Sequence, residues 1–254
     1  MYRIDLNSDL GESFGRYTLG LDDQIIPLVS SANIACGQHA GDPAVMRKTV
    51  GMAKDAGIAI GAHPGYPDLQ GFGRRDMHLS PDEAYSYMLY QIGALQAFCS
   101  AQGVQLAHVK PHGQLYNHAA IDSELAAAVA QAVRDVDPKL VLVGLANSAL
   151  VDEGRKLGLV TAEEFFADRN YTDEGRLVSR NDPAALIRDE EHAIERVKNA
   201  IREGAVLSVT GKLVDLHPDT LCVHGDSPSA LAFVSRIRQE LEQDDIAIKA
   251  VGAE

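Results

Sequence analysis

The feature that most constrains the fold is an alternation of short apolar runs with longer helical patterns along the 254-residue chain. Eight runs have the length and aliphatic content of buried strands. They cover residues 2–7, 31–36, 58–62, 106–110, 140–144, 161–165, 205–209 and 221–224. Strands that alternate with helices in this way predict a parallel sheet with helical crossovers.

Proline, glycine and short polar residues mark the helix boundaries. Residues 80–83, Ser-Pro-Asp-Glu, combine a capping box with proline in the first helical turn. Short polar residues favour helix starts, and glycine favours helix ends. The predicted starts lie near Asp42, Ser80, Asp122, Asn147, Asp182 and Ser227, and the predicted ends near Gly57, Gly158 and Gly204.

The length and the absence of a linker or low-complexity tract predict one α/β domain over residues 1–254. We expect a closed (β/α) barrel of the TIM type, with seven or eight parallel strands. A doubly wound open sheet is the alternative. Residues 64–79 form a long loop rich in Gly, Asp and Arg, which is typical of a lid or a binding loop.

Charge and composition exclude several function classes. The net charge is −13, which disfavours binding to nucleic acid. Three cysteines without a CxxC pair suit a reducing cytosol, and we expect a cytoplasmic protein without a signal peptide or a membrane span. The sequence contains no GxGxxG or P-loop motif, so we expect no nucleotide cradle within this chain.

Titratable residues cluster just after the predicted strands. Because parallel strands place their carboxyl ends on one face of a barrel, these residues are expected to meet in one pocket. Four histidines share this position, and glycines beside them allow close approach to a ligand. The set comprises Asp9, Glu12, His39, His63, Lys110, His112, Tyr116, Asp168, Arg169, His224 and Asp226.

Some of these titratable residues also have a purely structural explanation. Asp42 and Asp226 lie at predicted helix starts and are equally suited to be N-caps. Asp9 and Glu12 have the alternative of accepting hydrogen bonds within a turn. Lys110 has the alternative of a purely structural pair with a carboxylate.

Several motifs resemble the LamB/YcsF family over nearly the whole chain. They are DLNSDLGE (5–12), SANIACGQHAGDP (31–43), GAHPGYPD (61–68), GFGRR (71–75), VKPHGQLYN (109–117), EEFFADRNY (163–171), LVSR (177–180) and CVHGD (222–226). The resemblance implies a barrel related to the glycoside hydrolase and deacetylase folds. It also implies the ATP-dependent hydrolysis of the cyclic amide 5-oxoproline to glutamate, in a complex with 5-oxoprolinase subunits B and C.

That reaction needs a cation for phosphate, a base for water and an acid for the departing nitrogen. Our hypothesis assigns the cation to Lys110 with Arg169 or the Arg74-Arg75 pair. Asp9 or Asp226 would activate water, and His112 or His224 would move the proton. The predicted catalytic residues are Asp9, Glu12, Lys110, His112, His224 and Asp226, and the predicted substrate-binding residues are His39, His63, Arg74, Tyr116, Asp168 and Arg169.

Two other functions are compatible with the same residues. One is a stand-alone, metal-dependent deacetylase or amidohydrolase, in which Asp9, His39 and His63 would bind a divalent metal ion with an open position. The other is a non-enzymatic protein that senses or stores a small acid. Binding without turnover would favour the second of these.

Overall fold

The computed structural model describes residues 2–179, 182–223 and 228–252. The strands in these ranges are β1 Tyr2–Leu10, β2 Ser31–Ala35, β3 Ala59–His63, β4 His108–Val109, β5 Val141–Leu145, β6 Thr161–Phe166, β7 Ala205–Leu207, β8 Leu213–Asp215, β9 Thr220–Cys222 and β10 Ile246–Ile248. The α-helices are α1 Asp22–Ile25, α2 Pro43–Ala56, α3 Pro81–Ala101, α4 Gly113–Ala119, α5 Ser123–Val136, α6 Ala149–Lys156, α7 Glu190–Glu203 and α8 Pro228–Gln243. Two 3-10 helices cover Ile26–Leu28 and Pro183–Ala185.

Seven parallel strands close into a barrel. Their order is β1-β2-β3-β4-β5-β6-β9, and β9 pairs with β1 to complete the ring. This confirms the predicted (β/α) barrel and shows that the open-sheet alternative is wrong. β10 lies outside the ring and pairs in parallel with the first residues of β1, where Tyr2 is opposite Ile246.

The predicted strand at 205–209 is the one that does not join the barrel. It forms β7, which pairs only with β8 as an antiparallel hairpin. A barrel strand is buried on both faces, whereas in β7 only Val206 is buried and Leu207 is 57% exposed. A tight turn at Gly211, whose N–H donates to the Ser208 carbonyl, keeps the pairing local.

Most helix boundaries follow the predicted capping residues. The Asp42 carboxylate accepts hydrogen bonds from the amides of Ala44 and Val45, so Asp42 is the N-cap of α2. Gly57 ends that helix in the left-handed conformation, with φ of 69°. Ser80 forms the predicted capping box with Glu83.

The predicted helix start at Asp182 is wrong for the α-helix. Asp182 caps only the 3-10 helix Pro183–Ala185, and the chain is extended at Leu186. The α-helix α7 starts at Glu190, because the Asp189 carboxylate accepts a hydrogen bond from the His192 amide. Its end at Gly204 agrees with the prediction.

The apolar core lies between the barrel and the surrounding helices. Met88, Ile92 and Leu95 of α3 are fully buried, as are Val129 and Val133 of α5. Burying a side chain of this size stabilises the fold by roughly 1.5–3 kcal/mol. Among the described residues, no helix has both the length and the apolar character needed to cross a membrane.

Candidate active site

Six predicted site residues meet at the carboxyl ends of the first four barrel strands. Asp9 lies within β1, which runs three residues beyond the predicted end at residue 7, and His63 is the last residue of β3. The others lie in the segments that follow β1, β2 and β4. The group consists of Asp9, Glu12, His39, His63, Lys110 and His112.

Three histidine rings form the centre of this group. His39 stacks on His112 with ring centroids 3.7 Å apart and planes 2° apart, and His63 stands edge-on to both. All three are buried. Burial lowers the pKa of His39 and His112 well below the ordinary value of 6.5, and the neighbouring histidines lower it further.

Backbone carbonyls orient two of the rings. His63 Nδ1 donates to the Lys110 carbonyl at 2.7 Å, and His112 Nε2 donates to the Phe72 carbonyl at 2.8 Å. The other two nitrogens, His63 Nε2 and His112 Nδ1, face each other at 3.0 Å.

Two carboxylates flank the rings. Glu12 Oε1 lies 3.3 Å from His39 Nε2 and 3.6 Å from His112 Nδ1. Asp9 Oδ2 lies 3.3 Å from His63 Nε2. Burial raises the pKa of Glu12, although the facing His112 acts in the opposite direction. The cluster is therefore rich in proton acceptors.

The loop 64–79, predicted to be a lid or binding loop, packs against the histidines. Gly73 has φ of 63°, and a Cβ at this position would lie 2.8 Å from His39 Cβ and 2.9 Å from His112 Cδ2. Only glycine fits both the backbone conformation and the space. The loop thereby fixes the outer side of the histidine stack.

Lys110 is paired with carboxylates, as one of the sequence interpretations predicted. Its ammonium group lies 3.0 Å from Asp9 Oδ1 and 2.7 Å from Glu164 Oε1, and donates to Asn7 Oδ1 at 3.1 Å. Burial alone would lower the pKa of Lys110, but the carboxylates of Asp9 and Glu164 raise it well above the ordinary value. The charge at this position is therefore permanent.

Sequence reasoning missed Glu164, which is fully buried in β6. A signal was present, because Glu163 and Glu164 interrupt the apolar run of this strand. A charged residue in a buried barrel strand needs a partner of opposite charge. Lys110, which follows β4, two strands away in the barrel, is that partner.

A cavity of about 550 Å³ opens beside the cluster. This volume falls within the ~300–1,000 Å³ range of small-molecule sites. Asp9, His63, Lys110 and His112 line one side. Side chains that bear cations or hydrogen-bonding groups also line it, namely Arg74, Gln114, Tyr116, Asn117, Arg169, Arg176 and Ser179. Guanidinium groups in an otherwise acidic protein favour a small anionic ligand.

The remaining predicted site residues have different positions. Tyr116 and Arg169 line the cavity, and Arg169 also donates to the Val178 carbonyl at 2.6 Å. Arg74 lines the cavity with its guanidinium over the Phe72 ring. Asp168 is half-buried next to β6 and does not line the cavity. His224 and Asp226 lie outside the described residues.

Together, the fold and the site define a β/α-barrel protein that gathers acid–base groups and a fixed cation around a small-molecule cavity. The LamB/YcsF family model matches residues 4–254. The chain belongs to the LamB/YcsF family, which confirms the resemblance in its motifs.

Individual relatives agree with this assignment. A protein of Staphylococcus aureus strain MSSA476, named as the A subunit of 5-oxoprolinase, is 55% identical over 98% of this chain and 100% of its own length. A crystal structure of a lactam utilization protein from Thermus thermophilus is 47% identical, with a TM-score of 0.92 over 98% of this chain and 99% of that one.

Proposed function

We propose that this chain, as a single barrel domain over residues 1–254, acts as the A subunit of an ATP-hydrolysing 5-oxoprolinase. It opens the activated lactam ring of 5-oxoproline to give glutamate. The observation that carries the proposal is the 55% identity, over the full length of the relative, to a protein named as the A subunit of 5-oxoprolinase. The predicted hydrolase activity on a cyclic amide agrees with that name.

The chemistry explains why a ring-opening protein of this kind needs partners. A lactam carbonyl is a poor electrophile, and its nitrogen is a poor leaving group. Phosphorylation of the lactam oxygen makes the ring carbon reactive toward water. Water then adds to that carbon, and the ring C–N bond breaks as the nitrogen takes a proton, which leaves an acyl phosphate. A second water molecule hydrolyses this acyl phosphate to the carboxylate of glutamate and free phosphate.

In this proposal the guanidinium groups bind the anionic parts of the substrate. Arg74, Arg169 and Arg176 line the cavity and can pair with a carboxylate or a phosphoryl group. Lys110 already contacts two carboxylates, so its role is to hold Asp9 in place beside the cavity. This revises the hypothesis made from the sequence, in which Lys110, with Arg169 or the Arg74-Arg75 pair, held the phosphoryl group or the substrate carboxylate.

Asp9 and the histidines move the protons. Asp9 keeps 17% of its side chain exposed at the cavity, and its Oδ1 is fixed by Lys110 and by the Asn33 amide at 2.9 Å. Oδ2 is the oxygen directed toward His63 and is the one placed to activate water. His63 and His112 lie on the path by which that proton can reach the ring nitrogen. General acid–base groups contribute typically ~10²–10⁴-fold each.

The partners belong to the same proposal. The names of the relatives designate one subunit among several, which implies a multisubunit complex for those proteins. We assign the use of ATP to subunits B and C, because this sequence contains no nucleotide-binding motif. A cytoplasmic location, where ATP is present, completes the proposal.

Reconstitution tests the proposal. The purified chain is mixed with candidate subunits B and C, 5-oxoproline and ATP, and the release of glutamate and phosphate is followed. We expect stoichiometric release of both products only when all three subunits are present. Glutamate release that is independent of this chain would refute the proposal.

A stand-alone, metal-dependent hydrolase is the second candidate function. Three histidines and Glu12, whose ligand atoms all lie within 4.8 Å of one another, favour it. The isolated chain is assayed on N-acetylated sugars and simple amides, with and without added zinc. Turnover of such a substrate without partner subunits would favour this candidate over 5-oxoproline hydrolysis.

A further inference from the structure

The facing nitrogens of His63 and His112 have hydrogen-bonding roles that conflict with each other, and the proton path in the proposed function does not resolve this conflict. A backbone carbonyl can only accept a hydrogen bond. The hydrogen bonds to the Lys110 and Phe72 carbonyls therefore place the proton of each neutral ring on the nitrogen that faces away from the other ring. The two nitrogens that face each other at 3.0 Å are both lone-pair acceptors.

Two lone pairs at this distance repel each other unless a positive centre lies between or beside them. The two flanking carboxylates add further acceptors. Glu12 Oε1 lies 3.6 Å from the same nitrogen of His112, and Asp9 Oδ2 lies 3.3 Å from that of His63. Since buried polar atoms are normally paired, these facing acceptors are arranged as a binding site for a cation.

A metal ion accounts for the spacing as well as the charge. Zinc–ligand bonds of ~2.0–2.1 Å at tetrahedral angles place ligand atoms about 3.3 Å apart. The corresponding separations here are 3.0 Å, 3.3 Å and 3.6 Å, for His63–His112, His39–Glu12 and His112–Glu12. These three separations are close to the edge length of such a tetrahedron, and all four ligand atoms lie within 4.8 Å of one another.

We propose that His39, His63, His112 and Glu12 bind one divalent transition-metal ion of the zinc class. The ligand atoms are His39 Nε2, His63 Nε2, His112 Nδ1 and Glu12 Oε1. Imidazole and carboxylate ligands suit zinc, cobalt and related ions, whereas magnesium and calcium prefer oxygen ligands alone. This set replaces Asp9 of the sequence-based set by Glu12 and His112, since Asp9 is bound to Lys110.

The carbonyls of Lys110 and Phe72 act as the outer layer of the proposed site. Metal-binding histidines commonly donate their second N–H to a carbonyl or a carboxylate, which fixes the ring and raises its basicity. Both carbonyls belong to segments already described, the chain after β4 and the loop 64–79. The loop conformation at Gly73 therefore maintains the proposed site.

Metal titration of the isolated chain tests this inference without any assay of turnover. The protein is freed of metal with a chelator and titrated with Co²⁺, and the visible absorption of tetrahedral cobalt is recorded. Zinc affinity is then measured by calorimetry. We expect one ion per chain, with intense visible bands that zinc abolishes by competition.

Variants locate the site. His39→Asn and Glu12→Gln each remove one ligand and should weaken zinc binding by more than about 100-fold, since loss of an outer-layer partner alone costs ~10–100-fold. His192→Asn, at an exposed position of α7, is the matched control and should bind as the wild type does. If His39→Asn fails to fold, Glu12→Gln decides, because the Glu12 side chain is partly exposed whereas that of His39 is fully buried.

Two outcomes would overturn the proposal. One is wild-type protein that takes up no cobalt or zinc, which would mean that a shared proton bridges His63 and His112. The other is binding that is equal in the wild type, His39→Asn and Glu12→Gln. Neither outcome bears on the proposed 5-oxoprolinase activity, which is measured separately by glutamate release.

Discussion

Two buried polar clusters on β1 contrast sharply in how their hydrogen bonds are satisfied. At the amino-terminal end of the strand, Asp5 Oδ1 accepts hydrogen bonds from Ser30 Oγ and Ser31 Oγ, both at 2.7 Å, and Oδ2 accepts from Thr220 Oγ1. Donors surround one acceptor group, so the cluster is complete. It links β1 to β2 and β9 inside the barrel.

The cluster around Asp9 and Glu12, at the carboxyl end, is incomplete by the same measure. Two ring nitrogens that both act as acceptors face each other, and His39 Nδ1 has no hydrogen-bond partner among the described residues. A buried polar group that is fully paired stabilises the fold, whereas a poorly paired one indicates a ligand or a chemical role. On this one strand, the cluster around Asp5 therefore stabilises the fold, and the cluster around Asp9 and Glu12 has the chemical role.

The largest expected effect tests the incomplete cluster. Asp9→Asn should lower turnover of the reconstituted complex by about 10²–10⁴-fold, because the amide cannot accept the proton of water. Glutamate release measures the effect, and a thermal melt checks that the variant is folded. Asp55→Asn, at an exposed position of α2, serves as the control. Turnover near that of the wild type in folded Asp9→Asn would contradict the assignment.

The next effect concerns the loop that holds the histidines. Gly73→Ala and Gly57→Ala both place a side chain at positive φ, 63° and 69°, but only the first meets neighbouring atoms. Left-handed strain costs roughly 1–2 kcal/mol at either position, and overpacking adds about 1–3 kcal/mol at Gly73. Urea unfolding measures both costs.

Turnover distinguishes these two glycines further. We expect Gly73→Ala to lose at least about 10-fold in glutamate release, because the ring positions of His39 and His112 must shift by tenths of an ångström. Gly57→Ala, at the end of α2, should retain full turnover. Equal turnover in the two variants would show that the loop does not position the rings.

The complete cluster should respond in stability rather than in activity. Asp5→Ala leaves buried hydroxyl donors unpaired and should lower the free energy of unfolding by about 1–3 kcal/mol. Turnover per folded molecule should stay within a few-fold of the wild type. If turnover per folded molecule falls by much more than a few-fold, the distinction between the two clusters is wrong.

Asp5 also predicts a pH dependence with a definite sign. Burial raises the pKa of Asp5 above its ordinary value of 3.8, although hydrogen bonds from Ser31 and Thr220 oppose this. The folded state therefore holds the proton more tightly, and the contribution of Asp5 to stability falls as pH rises from 3.8 through the folded-state pKa. We expect the stability of the wild type, measured relative to Asp5→Asn by urea unfolding, to fall over this range. A stability difference between wild type and Asp5→Asn that rises with pH would contradict the raised pKa of Asp5.

The smallest expected effect is an absence of reaction at the three buried thiols. Burial raises the pKa of Cys36 to about 12 and that of Cys99 to about 11, and it raises that of Cys222 as well. Because the thiolate is the reactive form, iodoacetamide at about pH 8 should modify none of them in the folded protein. Mass spectrometry should show three modified cysteines only after unfolding.

Much of the fold could be predicted because local signals agreed with the tertiary arrangement. The caps at Asp42, Ser80 and Asp122 lie where the sequence placed them. The hairpin at β7 could not be predicted as such, because a short apolar run looks the same in a barrel strand as in a local ribbon. The α-helix start predicted at Asp182 was wrong for a related reason, since an Asp-Pro pair also starts a 3-10 helix.

Six residues of the candidate site could be predicted to lie together, but their pairings and the participation of Glu164 could not. The shared face of the strand ends brought Asp9, His63 and His112 together without any distance information. The sequence could not show that Lys110 pairs with Glu164, since that contact crosses the barrel interior. Nor could it show the role of Phe72, whose contribution is a backbone carbonyl rather than a side chain.

The way β1 is paired has a consequence for how the protein forms in the cell. β1 contacts β9 and β10, and Asp5 lies 215 positions before its partner Thr220. At ~5–20 residues per second, synthesis of that interval takes roughly 10–45 s. β1 therefore stays without its partner β9 for that time after its own synthesis, and the barrel closes only after nearly the whole chain has been made.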